Sequence, residues 1–157
     1  MSNTNRLETL VERYANTMLR AAAAILGDFH EAEDAVQDAF LRYLEKRPEF
    51  RDERHEKAWL LTVTANGCKS RLRASKRHPT VQLLDTVPAP DGESRELLEA
   101  VLNLPANQRA AVHLFYYEGY TTDEIAKILG QRPGTVRSHL SRAREALREQ
   151  LKENFDG

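Results

Sequence analysis

The chain has 157 residues, a formal net charge of −1, 30% charged residues and 41% hydrophobic residues. That length fits one compact domain or two half-size ones and excludes a large multidomain enzyme, while the near-neutral total argues against a nonspecific nucleic-acid coat. Two units of about 70 residues would each bury a smaller share of their surface than one of about 150, so each should be only modestly stable alone.

Charge is sorted by segment. Asp28 to Asp38 holds five acids (Asp28, Glu31, Glu33, Asp34, Asp38) and no Lys or Arg. Asn66 to Arg77 holds five basic residues (Lys69, Arg71, Arg73, Lys76, Arg77) and no acid, so partners of opposite sign are expected for the two stretches. The single cysteine, Cys68, excludes an internal disulfide and fits a reducing compartment. Met1 to Arg6 has no apolar signal core, and the longest apolar run, Ala21 to Leu26, falls far short of the roughly 20 residues that span a bilayer. A cytoplasmic protein is expected.

Apolar residues recur at three and four positions almost throughout, which predicts an all-α chain. Leu7, Leu10, Val11, Tyr14, Met18, Ala21, Ala22 and Ile25 form one stripe of a helix over 5–26, with Gly27 as its left-handed stop. Asp28 and Glu31 then stand in capping-box-like spacing and open a second helix. Its inner stripe is Ala32, Ala35, Val36, Ala39, Phe40, Tyr43 and Leu44. That leaves Asp34, Gln37, Asp38 and Leu41 together on another face, and Pro48 closes the helix.

A third helix starts within 51–58, carries Trp59, Leu60, Leu61, Val63, Cys68 and Leu72, and ends in the basic tail. Trp59 has apolar neighbours and reads as a packing residue rather than a base-stacking platform. Residues 79–94 contain Pro79, Pro88, Pro90 and Gly92 without sustained periodicity and read as a flexible linker able to reach about 50 Å.

The second half resumes with Leu97, Leu98, Val101 and Leu102. A helix then opens at Pro105, runs through Val112, Leu114 and Phe115, and stops at Gly119. Thr121 and Glu124 make a T-x-x-E capping box for a short helix with Ile125, Ala126, Ile128 and Leu129 inside and Gly130 as its stop. After the turn at Gln131 and Arg132, Pro133 opens a long helix whose buried stripe is Val136, Leu140, Ala143, Leu147 and Leu151.

Short helix, tight turn and long helix make a helix-turn-helix, whose second member presents its N-terminal residues to base edges in the major groove. Arg132, Thr135, Arg137, Ser138, Ser141 and Arg142 are the candidate DNA contacts. Arginine grips guanine O6 and N7 by two parallel hydrogen bonds, whereas Thr135 and adjacent amides suit phosphates at the positive helix end. The pattern alone leaves readers and positioners undivided.

The stretch EIAKILGQRPGTVRSHLSRAREALRE resembles the promoter-binding helix-turn-helix of sigma factors, and EAEDAVQDAFLRYLEK with AWLLTVTANGCKSRLRASKR resembles their conserved second region. Order and spacing resemble an extracytoplasmic-function (ECF) sigma factor over about Leu7 to Leu151. The resemblance implies two small helical domains, 1–78 and 95–157, on a linker over 79–94, and a promoter-specificity role without catalysis.

It further implies that Asp34, Gln37, Asp38 and Leu41 contact the clamp helices of the largest catalytic subunit of core RNA polymerase. Asn66, Lys69, Arg71, Arg73, Lys76 and Arg77 would serve the minus-ten element and its opening, and the helix-turn-helix the minus-thirty-five element. An anti-sigma partner is a family tendency. Thr62, Ser70 and Arg132 depart from the family's usual arginine, aspartate and serine-like cap.

No catalytic residues, cofactor or metal are expected. The five histidines show no ligand spacing with one another or with Cys68, and no Gly-rich phosphate loop is present. The competing readings are a freestanding helix-turn-helix regulator, which would need dimerisation although no long heptad seam is visible, and an adaptor that only bridges proteins.

Overall fold

The structure, a computed structural model, describes residues 3–75 and 95–156. The predicted linker over 79–94 and the candidate contacts Lys76 and Arg77 lie outside the described residues. Helices α1 (Asn3–Leu26), α2 (Phe29–Lys46) and α3 (Glu53–Ser75) form the first unit. The second contains α4 (Arg95–Leu102), α5 (Ala106–Val112), a π-helical turn (His113–Tyr117), α6 (Thr122–Leu129) and α7 (Pro133–Asp156). No strand occurs among the described residues, as the apolar spacing predicts.

Local chemistry sets the breaks. Gly27 takes φ 69° and donates to Ala23 O at 2.8 Å, which ends α1. Asp28 Oδ1 then accepts from Glu31 N at 3.0 Å, which starts α2. Arg47 closes α2 in the left-handed region, φ 43°, donating to Tyr43 O at 2.9 Å. The chain thus turns one residue before Pro48, which has no N–H to continue the ladder.

The helix predicted from Pro105 through Phe115 is α-helical only to Val112. It then widens, with Glu118 N donating to His113 O at 3.2 Å across five residues. Such a turn inserts an extra residue and re-aims the chain beyond it.

Met18, Leu26, Tyr43, Leu60 and Leu61 are fully buried in the first unit, and Ile125, Leu129, Val136 and Leu140 in the second. The two units also pack on one another, and one apolar cluster runs from α1 to α7. Arg109 of α5 crosses this boundary. It is 3% exposed, and its guanidinium donates at 2.6 Å each to Ala24 O, Ile25 O and Leu104 O. The last carbonyls of a helix have no partner within it, and α1 has no basic residue in its own last turn.

Arg109 therefore reaches, from the other unit, the two α1 carbonyls next after the Ala23 O that Gly27 N–H satisfies. Burial lowers its pKa to about 10, so it stays protonated at neutral pH. Replacing it with leucine leaves these carbonyls buried without their donor. Arg109→Leu should lose about 2–4 kcal/mol of stability, read as a lower urea midpoint.

Candidate nucleic-acid and partner interfaces

The helix-turn-helix is built by reciprocal bonds. Thr121 Oγ1 accepts from Glu124 N at 3.2 Å, and Glu124 Oε1 accepts from Thr121 N at 3.0 Å, completing the predicted capping box. Gly130 turns the chain at φ 66°, and Gln131 N donates to Ala126 O at 2.9 Å. Arg132 O then accepts from Val136 N at 3.1 Å in the first turn of α7. Burial of Val136, Leu140 and Ala143 fixes the roll of α7. All six candidates, Arg132, Thr135, Arg137, Ser138, Ser141 and Arg142, stay exposed, and none forms an ion pair among the described residues.

On α2, burial of Ala32, Ala35, Val36, Ala39, Phe40 and Tyr43 leaves Asp34, Gln37, Asp38 and Leu41 exposed on one face. Leu41 is 56% exposed, an apolar side chain held open on an acidic strip. A groove of about 910 Å³ between α2 and α3 is lined by Leu41, Trp59, Asn66 and Arg71 among others. Trp59 is half-buried, its ring edge-on to Tyr43 and Phe50 at centroid distances of 6.0 and 5.9 Å, as a packing residue should be.

The basic candidates of α3 do not share one fate. Asn66 and Arg73 are exposed. Arg71 pairs with Asp38 at 2.7 Å and so joins the basic tail to the acidic strip. Lys69 is half-buried and donates to Leu129 O at the end of α6; burial lowers its pKa, and the nearby Arg73 charge adds to this. Cys68 is fully buried and its thiol is pushed up to about 12, so it carries little thiolate.

A junction between α3 and the second unit is invisible in the sequence. Arg54 grips both oxygens of Glu124, at 2.9 and 2.7 Å, and Lys57 Nζ lies 2.9 Å from Glu118 Oε2. Buried Tyr120 lies under both cations, with Arg54 5.1 Å and Lys57 5.8 Å from its ring centroid. Arg54, Lys57, Leu61, Ala65 and Lys69 succeed one another at spacings of three and four along one stripe of α3.

The Glu118 side chain is only 5% exposed. Burial alone would raise its carboxyl pKa, yet His113, with Nε2 3.6 Å from Oε1, and Lys57 outweigh burial and hold it at about 2. Isolated charges whose partners lie about 60 to 70 residues away leave no periodic signal, so spacing could not have found them.

A helical chain with an exposed acidic face on α2 and a terminal helix-turn-helix has the plan of a sigma-70-type transcription factor. The family model "Sigma-70 region 2" matches residues 10–78, and "Sigma-70, region 4" matches residues 94–147. The chain is 34% identical over 145 residues to the ECF RNA polymerase sigma factor SigM of Mycobacterium tuberculosis, covering 89% of this chain and 74% of SigM. To SigL of the same organism it is 32% identical over 158 residues, covering 94% and 89%.

Among solved structures it is similar to the sigma factor RpoE from Bartonella quintana, described in complex with the anti-sigma factor NepR. The TM-score is 0.73 at 30% identity, covering 92% of this chain and 96% of that one. The chain belongs to the ECF sigma factors of the sigma-70 family. It is a transcription-initiation factor, not an enzyme. No helix among the described residues is long and apolar enough to cross a membrane.

The depressed Glu118 pKa has a defined linkage. Its stabilisation is complete above the ordinary carboxyl value of 4.5 and is lost as pH falls toward about 2. The stability difference between the natural chain and Glu118→Gln should therefore shrink by about 2 kcal/mol from pH 7 to pH 3, measured by urea unfolding at both.

Proposed function

We propose that this sigma factor docks on core RNA polymerase through Asp34, Gln37, Asp38 and Leu41 and reads promoter DNA with α3 and α7. The observation that carries this reading is the roll of α7, which buries its apolar stripe and leaves every polar candidate in its first turns exposed. Arg137 and Arg142 then reach base edges of the minus-thirty-five element, while Arg132, Thr135, Ser138 and Ser141 reach bases or phosphates.

On α2, carboxylates around an open leucine suit a basic helical surface on the clamp of the largest catalytic subunit. Such charges bring steering and register to an apolar anchor. Asn66, Lys69, Arg71 and Arg73, with Lys76 and Arg77 next in the chain, serve the opened minus-ten strand, where cations neutralise phosphate and pockets receive unstacked bases. The division of labour is 1–78 for docking and the minus-ten element, 79–94 as linker and 95–157 for the minus-thirty-five element, with the cytoplasm as its workplace. An anti-sigma factor, the kind of partner named for RpoE of Bartonella quintana, fits as a regulator.

Core polymerase binding and promoter-directed transcription test these assignments separately. Asp34→Lys with Asp38→Lys should weaken core binding by about tenfold or more, and unchanged affinity overturns the docking assignment. Arg137→Ala and Arg142→Ala should leave core binding intact and each lower promoter discrimination by about 5- to 150-fold, read from initiation on matched and mutated minus-thirty-five elements.

A further inference from the structure

We propose that Gly67 and Gly134 are the points at which promoter DNA comes against bare backbone: Gly67 beneath an unstacked minus-ten base in the groove between α2 and α3, Gly134 beside the major-groove edge that Arg137 reads. The inference rests on the assignment of α3 and α7 to the two promoter elements.

Three glycines among the described residues have a local reason to be glycine. Gly27, Gly119 and Gly130 stand at φ 69°, 73° and 66°, where a β-carbon is strained. Gly67 and Gly134 differ. Both lie inside helices, α3 and α7, and neither takes a positive φ. Close packing does not explain them either. A β-carbon on Gly67 would meet nothing within 4 Å, and one on Gly134 only the tip of Arg137, with Nη2 at 3.7 Å, an ordinary contact with a flexible side chain. Glycine at a helical position lowers stability relative to alanine, because the unfolded chain has more freedom to lose. Nothing among the described residues offsets that loss, so the reason lies in what the chain binds.

The two glycines fall one on each helix assigned to DNA. Gly67 lines the α2–α3 groove next to the exposed Asn66 and Ser70. It stands four residues from both Val63 and Arg71, which line the same groove, so one stripe of α3 offers an apolar flank, a bare backbone and a cation in succession. A flat heterocycle can lie against the Cα of glycine where any side chain would hold it off. The Asn66 amide then meets its edge, and Arg71 the phosphate beside it. A polymerase segment laid in the groove would instead gain a contact from a methyl group at this place, so the missing side chain favours a base as the occupant.

On α7, Gly134 lies between Pro133 and Thr135 in the first turn, where a recognition helix comes nearest to base edges. Without a side chain that turn stays slim. The Arg137 guanidinium, whose tip lies beside it, is left free to swing toward guanine.

The test uses the full-length chain, alone and as holoenzyme with core polymerase. Alone, Gly67→Ala and Gly134→Ala should each raise the urea midpoint by about 0.2–0.5 M. In the holoenzyme each should lower initiation from the matched promoter by about tenfold, with core affinity held within about twofold. A gain in folding together with a loss in DNA use is a pair of opposite signs that a structural role does not produce. Single abasic sites placed in turn along the minus-ten strand should reveal one position at which Gly67→Ala and the natural chain bind equally, because the base that the methyl group displaces is gone. The Gly134→Ala loss should vanish in an Arg137→Ala background.

A lower urea midpoint overturns the inference, since it reveals an internal need for the glycine, and so does a higher midpoint with unchanged initiation. A Gly67→Ala defect that no abasic site removes, or one that appears in core affinity instead, gives the groove to polymerase and overturns it as well. Asn66→Ala and Arg137→Ala separate these failures from a failure of the underlying assignment. If they lower initiation while the glycine variants do not, only the contact glycines fall; if they too are silent, the promoter assignment of α3 and α7 falls with them.

Discussion

The relation between the two units depends on one buried cation. Among the described residues Arg109 has no carboxylate against it, and its guanidinium donates to backbone carbonyls, two of them at the end of α1. A charge in that position is tolerated because several short hydrogen bonds compensate its lost hydration. The same bonds fix how α5 meets α1. From there the π turn, Glu118 and the capping box of α6 are delivered to the flank of α3, where Lys57 and Arg54 meet them.

Two kinds of contact therefore join the halves. Around Arg109 the boundary is buried and continuous with the apolar cluster, through neighbours such as Ala111 and Val112. Along α3 it is ionic and ranges from the nearly buried Lys57–Glu118 pair to the exposed Arg54–Glu124 pair, whose carboxylate also caps α6. Exposed pairs contribute little and weaken with salt, whereas a buried pair is costly to leave with only one partner. The specificity of the packing between the units thus resides mainly in Lys57, Glu118 and Arg109.

Much of this is legible in the sequence wherever the signal is local. The stops at Gly27 and Gly130, the cap at Asp28 and the box at Thr121 and Glu124 arise from chemistry within a few residues, and all four are present. So is the outward face of α2, because a period of 3.6 separates Ala35 and Ala39 from Asp34 and Asp38. Local pattern cannot supply pairing across the chain. Arg109 sits among helix residues with nothing nearby to mark it as buried, and Lys69 reads as one more member of a basic run although it bonds 60 residues away. The π turn escapes the pattern for a related reason, since a single inserted residue leaves the apolar spacing of Val112 and Leu114 intact.

The charged residues of α3 and α7 are treated unevenly. Arg132, Arg137 and Arg142 of the helix-turn-helix form no ion pair among the described residues, and their exposure gives the start of α7 a positive face. On α3, Arg54, Lys57 and Lys69 have partners in the second unit and Arg71 has one on α2. Among the described residues, Asp38, Glu118 and Glu124 pair with cations of α3, and no acid pairs with an arginine of α7. A cationic surface balanced from within attracts a polyanion less than one whose charges stand open, so the field of this chain is concentrated at the start of α7 rather than along α3.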